Sequence, residues 1–485
     1  MSAPFVPLYI DGEYTSASNG ATYDVRNPHS SQVVSTAASA SSEDCTRAVE
    51  AAARAFETWE YSTLEQRRDI LFKAAELIQT DKYAQKIHSA VTEENASVDS
   101  IVLLNIIPTV GILRHVATLV NELKGETFPS AFPGGQVLMQ RRAQGVNFGM
   151  APWNFPVPLV IKAVTYPLVC GNTVVLKTSE YSPRSHQIVA ELLEEAGLPK
   201  GVLNVVHVSR EDAPDRVAQI IAHPAVRTIN FTGGSNVGKI VAGHAAKFLK
   251  PCVLELGGKA PAVVLNDANL ALAARAITSS ALLHSGQICM STERVIVQKG
   301  VASDFLQALA DEFKKFSAGG PGAMLSAVVH EGSAANIVSI IQKSMASGAQ
   351  CLVGDGARNG AVVQPHIVTG AKPGMPIWDQ ETFGPVVAVA EVDTEEEAVA
   401  LANTTDYSLV SSLWTKDLNK AVTLGMKMRY GAVNINGPTA HAEAARDNIG
   451  LGGSSGYGRF HVDSFTDSRL IVIHPTDPFP YPLTG

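Results

Sequence analysis

What this sequence has little of narrows its class first. Five cysteines, Cys45, Cys170, Cys252, Cys289 and Cys351, are scattered over 485 residues. Their number is odd and no C-x-x-C pair or Cys/His spacing joins them, so neither a disulfide framework nor a metal cluster is expected. Charged residues reach only 17% and form no basic or acidic run, and the net charge is −8. That leaves no electrostatic footprint for nucleic acid or an anionic membrane. Met1 to Asp11 lacks a basic stretch followed by an apolar one, and Leu483-Thr484-Gly485 is not a peroxisomal tripeptide, so a cytoplasmic location is expected. Ile101 to Val120 is apolar enough to resemble a membrane span of about 20 residues. Asn105, Pro108, Arg114 and His115 interrupt it, which favours a buried or interface helix.

What is present fits an α/β enzyme. Hydrophobic residues make up 46%, and 39 Gly and 26 Pro punctuate many short elements in a chain too long for one core. After a strand at Leu8–Ile10, Ala- and Leu-rich periodic stretches predict helices over Ser42–Trp59 and Leu64–Gln79. Residues 129–142 read as a hairpin or extended arm. From Gly145 onward β-branched runs alternate with helices: Thr173–Leu176, then a helix capped by Ser182 and begun by Pro183, then Val202–Val208, Pro214–Ala222 and Arg227–Phe231. That alternation marks a parallel sheet covered on both faces. It restarts at Ala262–Leu265 and a helix from Asn269 to about His284, and Leu470–Ile473 reads as a late strand that pairs elsewhere.

Several short segments carry chemistry. Cys289 follows a long helix in the turn Gly286-Gln287-Ile288-Cys289, where backbone N–H groups could face a developing oxyanion. Glu255 stands among Val253, Leu254 and Leu256, a costly place for a carboxylate unless it serves as a base or pairs with Lys259. Asn154, in Pro152-Trp153-Asn154-Phe155-Pro156, offers an amide donor in a proline-fixed loop. Lys177 and Glu180 fall at the carboxyl edge of a strand, and Gly233 to Gly238 forms a glycine turn between strand and helix, where phosphate can approach backbone N–H groups. Glu381 precedes Phe383-Gly384-Pro385 and the strand Val386–Val389, and is either a solvated cap or a ribose-binding carboxylate.

The order of these segments, with Asn434-Ile435-Asn436-Gly437 and Ser455-Gly456-Tyr457-Gly458-Arg459, resembles the aldehyde dehydrogenase superfamily over nearly the whole chain. The resemblance implies Cys289 as nucleophile, Glu255 as the base for the deacylating water, and the Asn154 amide with the Cys289 N–H as oxyanion hole. It places Trp153, Lys177, Glu180, Gly233, Gly238, Glu381 and Phe383 around a dinucleotide, with NAD preferred over NADP because Glu180 would repel a 2′-phosphate. It also implies a Rossmann-type cofactor domain (1–122 and 146–256), an α/β catalytic domain (257–466), and a bridging oligomerisation arm (123–145 and 467–485) of a homodimer or homotetramer. Three departures stand out: Gly234 replaces a common serine, Thr178 a frequent proline, and residues 448–453 lack Pro-Phe-Gly-Gly.

Asn436-Gly437-Pro438-Thr439 with the Ser455–Arg459 motif is most similar to aromatic aldehyde dehydrogenases of the salicylaldehyde and vanillin type. Ile288, Met290, Trp153 and Phe155 would then form an apolar wall suited to a flat ring, with no cation for a charged semialdehyde. Two alternatives remain: transfer of the acyl group to coenzyme A, in which a water-activating Glu255 would be wasted, and a retired binding protein on the same fold.

Overall fold

Segments of strictly buried, β-branched residues form the centre of the first sheet in the computed structural model, which describes residues 3–320, 322–441, 449, 451–476 and 483. Residues 448 and 450 of the departing segment, and 1–2, 321, 442–447, 477–482 and 484–485 of the expected domains, lie outside the described residues. Five parallel strands stand in the spatial order Leu203–Val206, Thr173–Lys177, Val146–Met150, Val226–Thr232, Cys252–Glu255. Numbered along the chain this is 3-2-1-4-5, the doubly wound Rossmann order, whose switch point lies between Val146–Met150 and Val226–Thr232. Leu8–Ile10 and Glu13–Thr15 extend one edge antiparallel, and Gly456–Tyr457 extends the other. That last strand comes from the segment expected to belong to the catalytic unit.

A second sheet holds six parallel strands, in the order His366–Thr369, Val386–Val392, Thr292–Gln298, Ala260–Val264, Val410–Trp414, Ala432–Ile435, with Gln350–Val353 antiparallel at its edge. A third pairs Thr466–Ile473 with Gln136–Ala143, and that strand with Glu126–Pro129. The late strand therefore finds its partner in the hairpin of its own chain. Beyond Thr466 it is exposed throughout, including Leu470, Ile471, Val472 and Ile473.

Helix starts follow local chemistry with one correction. Ser41 caps Ser42–Trp59 in a box with Asp44, and Asn269 caps Leu270–Leu282 by accepting from the Leu272 N–H. Ser182, expected to cap Pro183–Ala196, instead donates to Asn95 Oδ1 at 2.8 Å. The Glu94 carboxylate takes the free N–H groups of Arg184 and Ser185 at 2.8 and 2.9 Å. A buried carboxylate from a distant helix replaces the local cap, and burial raises its pKa to about 7.

The apolar segment forms the helix Asp99–Thr118, which contains Pro108 and buries Val102, Asn105, Leu113 and Val116. Asn105 accepts the Val157 N–H, tying this helix to Pro156–Val169, while Leu103 and Ile107 remain exposed. Among the described residues it is the one helix long and apolar enough to cross a membrane, with 39% of its most apolar window buried.

Candidate active site

The carboxyl edge of the first sheet meets the amino edge of the second, and the candidate residues gather along that seam. Glu255 ends the strand Cys252–Glu255, while Cys289 and Glu381 lie just ahead of Thr292–Gln298 and Val386–Val392. The linker Leu256–Lys259 passes between them so closely that a Cβ on Gly257 would meet the Glu381 carboxylate and one on Gly258 the Cys289 carbonyl. Residues far apart in sequence are thus fixed by one short connection.

The nucleophile loop is held from several sides. The expected helix to His284 stops at Leu282, and His284, Ser285 and Gly286 all take left-handed φ values of 50°, 56° and 76°. Left-handed backbone is strained for residues with a Cβ. Ser285 Oγ donates to the Ser326 carbonyl at 2.7 Å, and Gln287 Nε2 to the His284 carbonyl at 3.0 Å. The Val329 N–H donates to Gln287 Oε1 at 2.8 Å. Asn154 Nδ2 donates to the Gln287 carbonyl at 2.9 Å, so the loop after the first Rossmann strand is joined to the cysteine turn. The amide's second hydrogen is left over, and the buried Oδ1 has no hydrogen-bond partner among the described residues.

Cys289 keeps partial solvent access, as does Cys351, whereas Cys45, Cys170 and Cys252 are buried. Burial first, then the Glu255 and Glu381 carboxylates, push the Cys289 thiol up, and the Lys162 ammonium opposes them. Its own backbone N–H faces the sulfur. Lys162 is in direct contact with Glu255 Oε2. The alternative pairing of Glu255 with Lys259 is not formed: Lys259 Nζ donates instead to Glu293 Oε2 at 2.5 Å, fully buried.

Glu293 and Lys162 escaped the sequence reading, although each carried a signal. Lys162 is the one charge in the 14-residue apolar helix Pro156–Val169, and Glu293 lies in a strand whose residues are all buried. Glu293 accepts from the N–H groups of Thr382 and Phe383 at 2.8 and 3.0 Å and so shapes the loop that carries Glu381. Glu381 Oε1 accepts the Gly258 N–H at 2.9 Å, and burial followed by the Glu293 carboxylate raises its pKa. It is a half-buried carboxylate in the seam, not a solvated cap. The Phe383 ring stands edge-on to Trp153 at 5.9 Å, and His284 lies 6.1 Å from Trp153 and 5.8 Å from Phe155. Trp153 therefore packs between the two loops.

On the first sheet, Lys177 Nζ donates to the Thr178 carbonyl at 2.9 Å and stands 3.9 Å from Glu180 Oε2, with burial lowering its pKa. Glu180 lines a cavity of about 690 Å³ together with Arg210, which donates to the Tyr181 hydroxyl at 2.9 Å. Arg210, in the turn after Leu203–Val206, was a further omission from the expected site. The glycine turn suits a phosphate. The helix Ser235–Lys247 has no side-chain cap, so its first N–H groups stay available, and nothing lies within 4 Å of a Cβ built on Gly234. Gly238 is required because a Cβ there would come within 2.5 Å of the Leu256 side chain. The Gly233 N–H donates to the Glu255 carbonyl at 3.1 Å, coupling this turn to the second candidate catalytic group.

A Rossmann sheet with an open glycine turn, facing a cysteine, a carboxylate and an amide across a seam, defines a dinucleotide-dependent oxidoreductase. The sequence comparison names the family: residues 14–470 match the aldehyde dehydrogenase family, and the chain belongs to it. It is 39% identical over 485 residues to a vanillin dehydrogenase of Pseudomonas sp. (strain HR199 / DSM 7063), covering 99% of each chain. Its fold matches a salicylaldehyde dehydrogenase from Pseudomonas putida G7 complexed with salicylaldehyde, with a TM-score of 0.95 and 34% identity over 99% of this chain and 100% of that one. A betaine aldehyde dehydrogenase from Staphylococcus aureus in complex with NAD+ has a TM-score of 0.93 and 29% identity, over 99% and 97% of the two chains. The protein is an aldehyde-oxidising enzyme that uses a pyridine nucleotide.

Proposed function

We propose that the enzyme oxidises an aromatic aldehyde, of the kind named in the vanillin and salicylaldehyde dehydrogenases it is similar to, to the carboxylic acid with NAD. Cys289 attacks the carbonyl carbon, its thiol proton passing to Glu255, and the Asn154 amide and Cys289 N–H stabilise the resulting alkoxide. A bound nicotinamide supplies the hydride acceptor. After giving that proton up to solvent, Glu255 takes another from the water that attacks the Cys289 thioester and returns it to the departing sulfur, which releases acid and thiol. Coenzyme A as acceptor would leave Glu255 without that task. The observation that carries this reading is the Asn154 amide, bonded two residues before Cys289 and keeping one donor free, while Glu255 acts on the same thiol.

Lys177, Glu180, Gly233, Gly238, Glu381, Trp153 and Phe383 are proposed to hold the dinucleotide. Glu180 favours NAD by accepting the ribose hydroxyls, and the nearby Lys177 and Arg210 leave NADP usable but weaker. Glu180→Gln should therefore shrink or invert the kcat/KM advantage of NAD, and equal use of both cofactors by the wild type would refute the assignment. Residues 1–122 and 146–256 serve as the cofactor domain and 257–466 as the catalytic domain. Residues 123–145 and 467–485 serve as the arm of a homodimer or homotetramer, which the exposed apolar edge strand supports. Five unpaired thiols suit a reducing cytoplasm. The decisive experiment is Cys289→Ala: it should lose all aldehyde oxidation while keeping its melting temperature, and Cys289 should be alkylated before Cys351. Retained turnover would overturn the proposal.

A further inference from the structure

Lys162 belongs to none of the roles assigned so far, yet its placement is specific. The helix around it is apolar and largely buried, with Val157, Val160, Ile161 and Val164 inside, so an ammonium there needs a partner to offset its desolvation. It has two. One is the Glu255 carboxylate, in direct contact. The other is the Phe460 ring, whose centroid lies 4.5 Å from Nζ. Phe460 is itself fixed, 5.8 Å from Tyr166 and 6.2 Å from Phe465, all three buried. Tyr166 follows Lys162 by one helical turn, so the ring lies across both residues. The ammonium is thereby held from the aromatic side and presents its charge to Glu255 and, beyond it, to Cys289.

We propose that Lys162 is a positioning residue for Glu255: held over Phe460, its ammonium pairs with the carboxylate and fixes it beside Cys289. This rests on the reading of Glu255 as the base. It also revises the expectation of a site without a cation, because among the described residues the positive charge acting on the Cys289 thiol comes from this helix. The titratable group facing the pair is Cys289 from the nucleophile loop, on which Glu381, from the loop before Val386–Val392, also acts.

The test is a comparison of pH profiles for the wild type, Lys162→Met and Lys162→Arg with NAD and benzaldehyde. Removing a cation beside a carboxylate raises its pKa, so the base stays protonated to higher pH. The acid limb of kcat/KM should move up by about one unit in Lys162→Met, a roughly tenfold loss on that limb. The rate of Cys289 alkylation at fixed pH should fall with it, a readout that needs no turnover. Lys162→Arg keeps the charge and should restore both. A wild-type limb in Lys162→Met, or an arginine variant that binds NAD and melts normally yet shows the shifted limb, would overturn the proposal. Should Lys162→Met unfold, Phe460→Leu takes its place: loosening the ammonium should give a smaller shift of the same sign, and no shift counts against it. If Cys289→Ala retains turnover, the reading of the whole site falls. If that variant is inactive and Lys162→Met keeps the wild-type limb, only the role of Lys162 falls.

Discussion

The turn Gly233–Gly238 leaves the first N–H groups of its helix open, whereas the turn His284–Gly286 ahead of Cys289 is tied at nearly every residue. The first has an uncapped helix start and empty space over Gly234. The second has three successive left-handed residues, with Gly286 so close to the Gly384 carbonyl that no Cβ fits between. The difference matches what each turn is proposed to do. A turn that receives a ligand must keep donors unspent until it arrives, while a turn that aims a nucleophile must hold it before substrate binds.

The comparison can be broken at four places. Asn154→Ala removes the link between the loop after Val146–Met150 and the cysteine turn and one proposed oxyanion donor, and should lower kcat by about 10²–10³-fold with little change in NAD affinity. A parallel loss of NAD binding would mean that the amide serves the cofactor side instead. Gly286→Ala combines a φ of 76° with a backbone clash, and should destabilise by about 2–3 kcal/mol, read from denaturant midpoints. A neutral result would show that this loop is less constrained than its contacts imply.

The third concerns His284, which is buried, has no hydrogen-bond partner among the described residues on either ring nitrogen, and has its pKa lowered by burial to about 4. The folded state therefore holds it neutral while the unfolded chain takes up a proton as pH falls through about 6.5. Stability is lost as pH drops from about 6.5 towards 4, at up to about 1.4 kcal/mol per unit. Between pH 7 and pH 5 the wild type should lose about 1–2 kcal/mol more than His284→Asn in urea titrations. Equal losses would place the proton elsewhere. Last, Gly234→Ser adds a side chain to open space and should change stability by less than about 0.5 kcal/mol, while lowering the KM for NAD if the hydroxyl reaches the pyrophosphate. A Gly234→Ser effect as large as that of Gly286→Ala would erase the distinction between the turns.

Local chemistry was legible wherever one segment contains its own cause. The runs Thr173–Leu176 and Arg227–Phe231 are strands because β-branched residues are buried on both faces, and Asn269 caps its helix because the acceptor and the N–H are three residues apart. Pairings across the fold were not legible. Nothing local tells that Glu255 meets Lys162 rather than Lys259, or that Glu94 rather than Ser182 caps Pro183–Ala196. Both depend on which helix face turns inward once the sheet has formed. Lone charges in apolar segments, such as Lys162 and Glu293, were the readable trace of those pairings, since such groups persist only with a partner.

The strand Gly456–Tyr457 flanks Glu255 in the first sheet, Ser455 Oγ donates to the Gly257 carbonyl at 2.8 Å, and Thr466–Ile473 completes the arm begun at Glu126. During synthesis a growing chain would hold every proposed catalytic group once Cys289 had left the ribosome. It would still lack the strand that borders the base and the one that finishes the arm. The edge Cys252–Glu255 would wait, unpaired, through some two hundred residues of translation, a window in which a chaperone or a neighbouring nascent chain could occupy it. Competence for catalysis arrives with the closing segment, long after the catalytic residues themselves.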